Sequence, residues 1–269
     1  MNGAAIKISR ASSPAKRVRR AWNFLGYISF AVLLTCWWLI SATKLVNPIF
    51  LPGPGAVFES AVELTRDGTL PNDILISLFR VYFGFLLAAL LGIGLGILLA
   101  RSRLAYGLIG PVIEAVRPIP PIAWLPLVII WLGIGEAARI SIIVYGALFP
   151  ILINTIHGVR SVENNLIRAA LSLGASRRQI FYLVVLPAVF PSIVTGLRVG
   201  AGMAMFVLVA AELIASSSGL GYLILDSREH LFTDRVILGM IVLGIFGVLQ
   251  NKLLMVMDSK LVKGRPPQE

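Results

Sequence analysis

The stretch Arg168-Ala169-Ala170-Leu171-Ser172-Leu173-Gly174-Ala175-Ser176, followed by Leu186-Pro187, is polar and basic and lies between two long apolar runs. It reads as a short helix. A membrane chain that interrupts its most apolar half with such a helix offers a handle to something in the cytoplasm.

The surroundings of that stretch set the class. Of 269 residues, 57% are hydrophobic and 14% charged, and the mean hydropathy is +0.87. A soluble domain carries roughly a quarter charged residues. The apolar residues come in runs of about 20, long enough to cross a bilayer core of ~30 Å. The expectation is an all-α polytopic membrane protein. Its formal charge of +11 does not point to nucleic acid, because the bases gather at the ends of apolar runs and not on one amphipathic face. The single cysteine, Cys36, excludes an intrachain disulfide and a CxxC metal site, and reads as a small core residue.

Six spans are expected, at about 22–43, 74–100, 106–132, 138–157, 186–214 and 236–257. A basic segment, 1–21, precedes the membrane domain at 22–258, and 259–269 form a tail. Residues 1–20, the end of the second span, the loop before the fifth and the tail are rich in Lys and Arg. The intervening loops are poorer in bases or balance them with acids such as Glu59, Glu63, Asp67, Glu136 and Asp226. This alternation places both termini in the cytoplasm and supports the count of six. The first apolar run exceeds the 7–15 residues of a signal core, so it reads as a membrane helix.

Small residues recur at Gly84, Ala88, Gly92, Gly96 and Ala100, and again at Gly196, Gly200 and Ala204. Such stripes let helices approach closely in lipid, either inside one subunit or at a sliding or dimer surface. The third span contains Arg117-Pro118-Ile119-Pro120-Pro121, whose prolines remove donors and force a kink or break. A break in a bilayer requires protein or a wet cavity to satisfy the freed groups. At 1.5 Å per residue, Arg117 lies roughly 20 Å in and Arg198 roughly 16 Å. Each is expected to face a cavity or a partner. Glu114 is the i,i+3 partner for Arg117. Glu212 is too far along the helix of Arg198 to pair with it. Either arginine can lend positive potential to an anion path, or hold helices together.

The turn cluster Phe50-Leu51-Pro52-Gly53-Pro54-Gly55 leads into a short amphipathic helix at 56–64, and Ser216 to Tyr222 opens the last external loop. Both can dock a soluble partner or cap the bundle. There is no G-x-x-x-x-G-K-[ST] loop for ATP phosphates, no G-x-S-x-G elbow and no paired-Asp motif. His157 and His230 stand far apart. An enzyme is disfavoured, and so is a cofactor bound by this chain.

Residues Arg168 to Pro187 resemble the EAA loop of the permease subunits of bacterial ABC importers. Ala169, Ala170, Gly174, Val184, Leu186 and Pro187 occupy its positions, while Arg168 stands where the family has glutamate. The segment Glu114 to Leu127 with Trp131 to Glu136 is similar to the branch that imports taurine, alkanesulfonates, nitrate and related small anions. So is Gly196-Leu197-Arg198 with Ala211-Glu212-Leu213-Ile214 and Ser218 to Tyr222. The likeness spans about residues 30–258.

The resemblance implies an ABC importer permease fold in the bacterial inner membrane, with a coupling helix at about 163–178. Two permease copies would form the pathway, two ATPase subunits would hydrolyse ATP beneath it, and a periplasmic binding protein would deliver substrate. Asn165, Arg168, Ala169, Ala170, Gly174, Ala175 and Ser176 would engage the ATPase. Arg117, Pro118, Pro120, Trp124, Arg198 and Glu212 are the candidate pathway residues. Taurine or another sulfonate is the expected cargo, with nitrate, bicarbonate or another small solute as alternatives. An ion-gradient transporter, using Glu114 and Glu212 as its acids, is the reading from another class.

Overall fold

The structure is a computed structural model that describes the backbone of residues 14–43 and 45–261, and side chains over 28–43 and 45–256. Residues 1–13 of the expected basic segment and 262–269 of the tail lie outside the described residues. The helices are α1 (Pro14–Ala42), α2 (Pro54–Arg66), α3 (Thr69–Arg101), α4 (Arg103–Val116), α5 (Leu125–Leu132), α6 (Glu136–Arg160), α7 (Asn164–Ser172), α8 (Arg177–Ile180), α9 (Leu186–Ala215), α10 (Leu220–Glu229) and α11 (Thr233–Leu261). Among the described residues there is no strand.

Four helical segments are long and apolar enough to span a membrane, namely α3, α6, the run Arg177–Ala215 and the Thr233–Val256 part of α11. The third expected span is a bent pair: α4 and the segment Pro121–Leu132 meet at 93°. Counted as one, they make a fifth. The first expected span lies on α1, whose side chains are described from Ile28 onward and are apolar over Ile28–Ala42. The amphipathic helix expected at 56–64 is α2, with Pro54 in its first turn, where a missing N–H is harmless. The loop after Gly219 holds an unforeseen helix, α10. Cys36, expected in the core, is exposed on α1.

The centre of the bundle is α6, packed between α3 and α9. The small-residue stripes are consumed there, inside one subunit. A Cβ on Gly92 would stand 2.9 Å from Cγ2 of Ile151, and one on Gly200 would stand 2.8 Å from Cγ1 of the same residue. Ile151 is fully buried between the two stripes. Gly84 against Ile143 and Gly96 against Thr155 repeat the contact along α3. In lipid there is no hydrophobic gain in joining apolar helices, so close van der Waals packing has to hold them. We expect Gly200→Leu to drive α9 off α6 and cost about 1–3 kcal/mol. A melting curve of the purified chain checks this, and an unchanged midpoint would contradict the packing.

A second cluster, Val57, Leu64, Leu70, Leu220, Leu223 and Leu238, packs α2 and α10 over the end of the bundle opposite the handle. There Ser60 bonds Asp234, and Arg235 pairs with Glu63 at 3.2 Å. Trp37 of α1 donates to the Pro52 carbonyl at 3.0 Å, which ties α1 to the turn before α2.

Candidate functional site

The handle forms as α7, but it is not the single helix expected over about 163–178. It stops at Ser172 and resumes as α8. Gly174 takes φ +80, a left-handed conformation that costs a glycine little. Its N–H donates to the Leu171 carbonyl at 2.9 Å and that of Ala175 to the Ala170 carbonyl at 3.0 Å. These are the two bonds of a Schellman ending. Ser176 then starts α8 through a capping box: its hydroxyl accepts from the Gln179 N–H, and Gln179 Oε1 accepts from the Ser176 N–H at 2.8 Å. A π turn over Phe181–Val185 precedes Pro187, whose ring would otherwise press on the Leu183 carbonyl.

Asn165, Arg168, Ala169, Gly174 and Ser176 are exposed on this handle, while Ala170 and Ala175 are half-buried. Leu166, Leu171 and Leu173 are exposed as well, Leu173 to 88%. Leu166, Ala169 and Leu173 fall on one exposed side of this short segment, a face suited to a partner. The apolar part of that face was not singled out in the sequence, although Leu166 and Leu173 sit seven residues apart, two turns of one helix.

The second candidate site is the helix break. Tyr145 of α6 places its hydroxyl 2.8 Å from the Val116 carbonyl oxygen and 3.1 Å from that of Ile119, so its one proton bridges the two carbonyls at the break. Its ring lies 5.8 Å from that of Trp124, which is half-buried beside the core. Beneath the break is a cavity of about 350 Å³. Arg117 lines it from just beyond the end of α4, Tyr145, Phe149 and Asn154 from α6, and Val199 and Met203 from α9. Pro150 also lines it and cannot donate to the Gly146 carbonyl one turn earlier, which leaves polar backbone at the cavity wall. Among the described residues that line it, Arg117 is the one charge.

Other expected pathway residues lie elsewhere. Pro118 and Pro120 are exposed at the break, and Arg198 is half-buried on α9, next to the cavity-lining Val199. Glu114 is exposed, and the ion pairs of the described residues do not include one between it and Arg117. Tyr145, Asn154 and Met203 were missed, because nothing in a helix's own sequence says which face meets a break in another helix.

Glu212 is enclosed far from this cavity. It and Arg80 of α3 are each 0% exposed, and they pair at 2.8 Å. Arg80 grips Glu136 with two parallel bonds, Nε to Oε2 at 2.7 Å and Nη2 to Oε1 at 2.6 Å. It also donates to the Ser218 carbonyl at 2.7 Å. Ser77 donates to Glu212 and accepts from the Leu220 N–H at 2.9 Å. Asp73 accepts from the Gly219 N–H at 2.7 Å, and Glu212 from the Gly221 N–H at 2.8 Å. Gly219 has φ +104, and a Cβ there would overlap the Glu212 carboxylate and the Arg80 guanidinium. Arg139 completes the group, bonding Glu136 at 2.6 Å and the Ala215 carbonyl at 2.7 Å. The network locks α3, α6, α9 and the start of α10 together. Its sequence signal was present: Asp73, Ser77 and Arg80 fall on one face of α3 at i, i+4 and i+7, a polar stripe in an apolar helix.

Residues 92–264 match the profile of the binding-protein-dependent transport system inner membrane component family. The chain belongs to that family. It is 41% identical over 245 residues to the taurine transport system permease protein of Escherichia coli, covering 87% of this chain and 89% of the relative. It is 36% identical over 253 residues to the putative aliphatic sulfonates transport permease protein of Bacillus subtilis, covering 94% and 91%. A solved structure of the MetNI methionine ABC transporter, in an inward-facing conformation, superposes with a TM-score of 0.61 at 19% identity. It covers 70% of this chain and 93% of that one. The fold is thus that of an ABC importer permease, and the chain is the permease component of such an importer and not an enzyme.

Proposed function

We propose that this permease carries taurine or another small sulfonate across a bacterial inner membrane, through a path that includes the cavity under the α4–α5 break. The observation that carries the proposal is Arg117 on a cavity of about 350 Å³ with no carboxylate among its described lining residues. A sulfonate presents three acceptor oxygens, and the planar guanidinium fork suits such a group. The relative named for taurine transport, similar over most of its length, supports this cargo.

The remaining parts follow from the same reading. Two copies enclose the path, and the handle end with Arg101, Arg160, Arg177 and Arg178 faces the cytoplasm, by the positive-inside rule. Two ATPase subunits engage Leu166, Arg168, Ala169 and Leu173, and they hydrolyse the ATP, since this chain carries no phosphate loop. A periplasmic binding protein docks over the outer face of α2, where Phe58, Glu59, Glu63 and Asp67 line a shallow cavity. A gradient-driven mechanism is not favoured, because Glu212 is closed in by Arg80 and Ser77.

Uptake of labelled taurine, in cells that supply the ATPase and binding protein, tests the proposal. Arg117→Ala should lower uptake about tenfold or more at equal membrane abundance, as loss of a charge-assisted hydrogen bond of about 1.5–3 kcal/mol requires. Arg117→Lys should keep part of it. Normal uptake by Arg117→Ala would remove Arg117 from the path. Uptake of nitrate in place of taurine would reassign the cargo.

A further inference from the structure

Outside both sites, Arg101, Arg177 and Arg178 converge with Phe181 and Tyr182 on an open cavity of about 500 Å³ at the handle end. Arg101 ends α3 and Arg177 begins the apolar run Arg177–Ala215, so both stand where a spanning helix leaves the bilayer. None of the three arginines belongs to an ion pair with a carboxylate among the described residues. The Arg101 guanidinium is held in place instead, 4.8 Å over the Phe181 ring. Three like charges set around one cavity repel each other, and an anion between them relieves that repulsion.

A second cavity, of about 320 Å³, adjoins the first and shares Arg101, Arg177 and Phe181 with it. Its other walls are apolar: Val159, Val162, Ile167, Leu171, Ile180 and Val185. A cationic chamber joined to an apolar one, at the edge of the membrane, has the polarity of an amphiphile with an anionic head. We infer that these joined cavities bind an anionic phospholipid, its phosphate held by Arg101, Arg177 and Arg178 and part of an acyl chain in the apolar chamber. The site lies between the end of α3 and the handle, so a bound lipid props α8 against the bundle. Assignment to the inner leaflet rests on the orientation proposed above; binding itself does not.

The test is a thermal melt of the full chain, purified in a neutral detergent and titrated with dioleoyl phosphatidylglycerol, dioleoyl phosphatidylcholine or inorganic phosphate. Phosphatidylglycerol should raise the midpoint by roughly 2–4 °C and phosphatidylcholine should not. The rise should vanish in the triple variant R101Q/R177Q/R178Q and shrink in Arg178→Gln, whose exposed side chain leaves the fold undisturbed. It should persist in Arg228→Gln, which removes one charge at the opposite end. An equal rise with phosphatidylcholine, or an equal loss in Arg228→Gln, would overturn the site in favour of general solvation or net charge. A rise of the same size with inorganic phosphate would replace the lipid by a free anion. If the triple variant binds phosphatidylglycerol normally but no longer retains the ATPase subunit, the arginines belong to the protein partner and the lipid proposal fails. Taurine uptake is not among the readouts, so an error about the cargo leaves this result standing.

Discussion

Arg80→Leu should destabilise the protein by about 3–5 kcal/mol, the cost of breaking a buried ion pair by removing one member. Glu212, 0% exposed, would keep the Ser77 hydroxyl and the Gly221 N–H but lose its charged partner. Glu136 would fare better, since Arg139 still bonds it at 2.6 Å. With net stabilities of about 5–15 kcal/mol for whole domains, such a loss should appear as low yield and an early melt in detergent. The double variant R80M/E212Q should recover a large part, because the amide oxygen of the substituted side chain can still accept from Ser77 and Gly221 while no charge is stranded. Equal melting of Arg80→Leu and the unmodified chain would show that the network orients the 216–221 loop without stabilising the fold.

Ala169→Asp should leave folding almost untouched and still abolish transport. Ala169 is exposed on α7, and aspartate in a helix costs at most about 0.7 kcal/mol relative to alanine. On the proposed docking face, however, it adds bulk and a charge that must be desolvated beside Leu166 and Leu173. Uptake should fall at least tenfold, and the ATPase should no longer co-purify, at an unchanged melting temperature. Retained co-purification with normal uptake would show that the ATPase contacts another surface.

The two variants divide the molecule into what one stretch of sequence discloses and what it does not. The handle was legible because its information is local. Polar residues between apolar runs, Gly174 at the end and Ser176 with Gln179 three residues on each act within a single turn. Even so, the break at Leu173–Gly174 was read as one continuous helix over 163–178. The turn that ends α7 there shows in the +80° dihedral of Gly174. The helix break at Arg117 to Pro121 was legible for the same reason, since proline acts on its own backbone.

The network around Arg80 was not legible as a network. Arg80 lies 56 residues from Glu136 and 132 from Glu212. Neither α3 nor α9 alone pairs Arg80 with Glu212, because each side chain's partner lies on another helix. The glycine stripes show the same limit. Sequence marked a face for close approach, but only packing against Ile143, Ile151 and Thr155 assigned that face to α6 within one subunit.

By itself, the sequence determined the helical membrane class, the place of the proline break and the existence of a handle. Hydropathy and proline chemistry work along the chain and need no knowledge of neighbours. The tertiary structure alone decided which residues share the cavity under the break, which charges neutralise one another, and which arginines at the handle end are left facing a common space. Those properties depend on distances between helices, and in a low-dielectric bundle a displacement of a few ångströms separates a buried pair from a stranded charge.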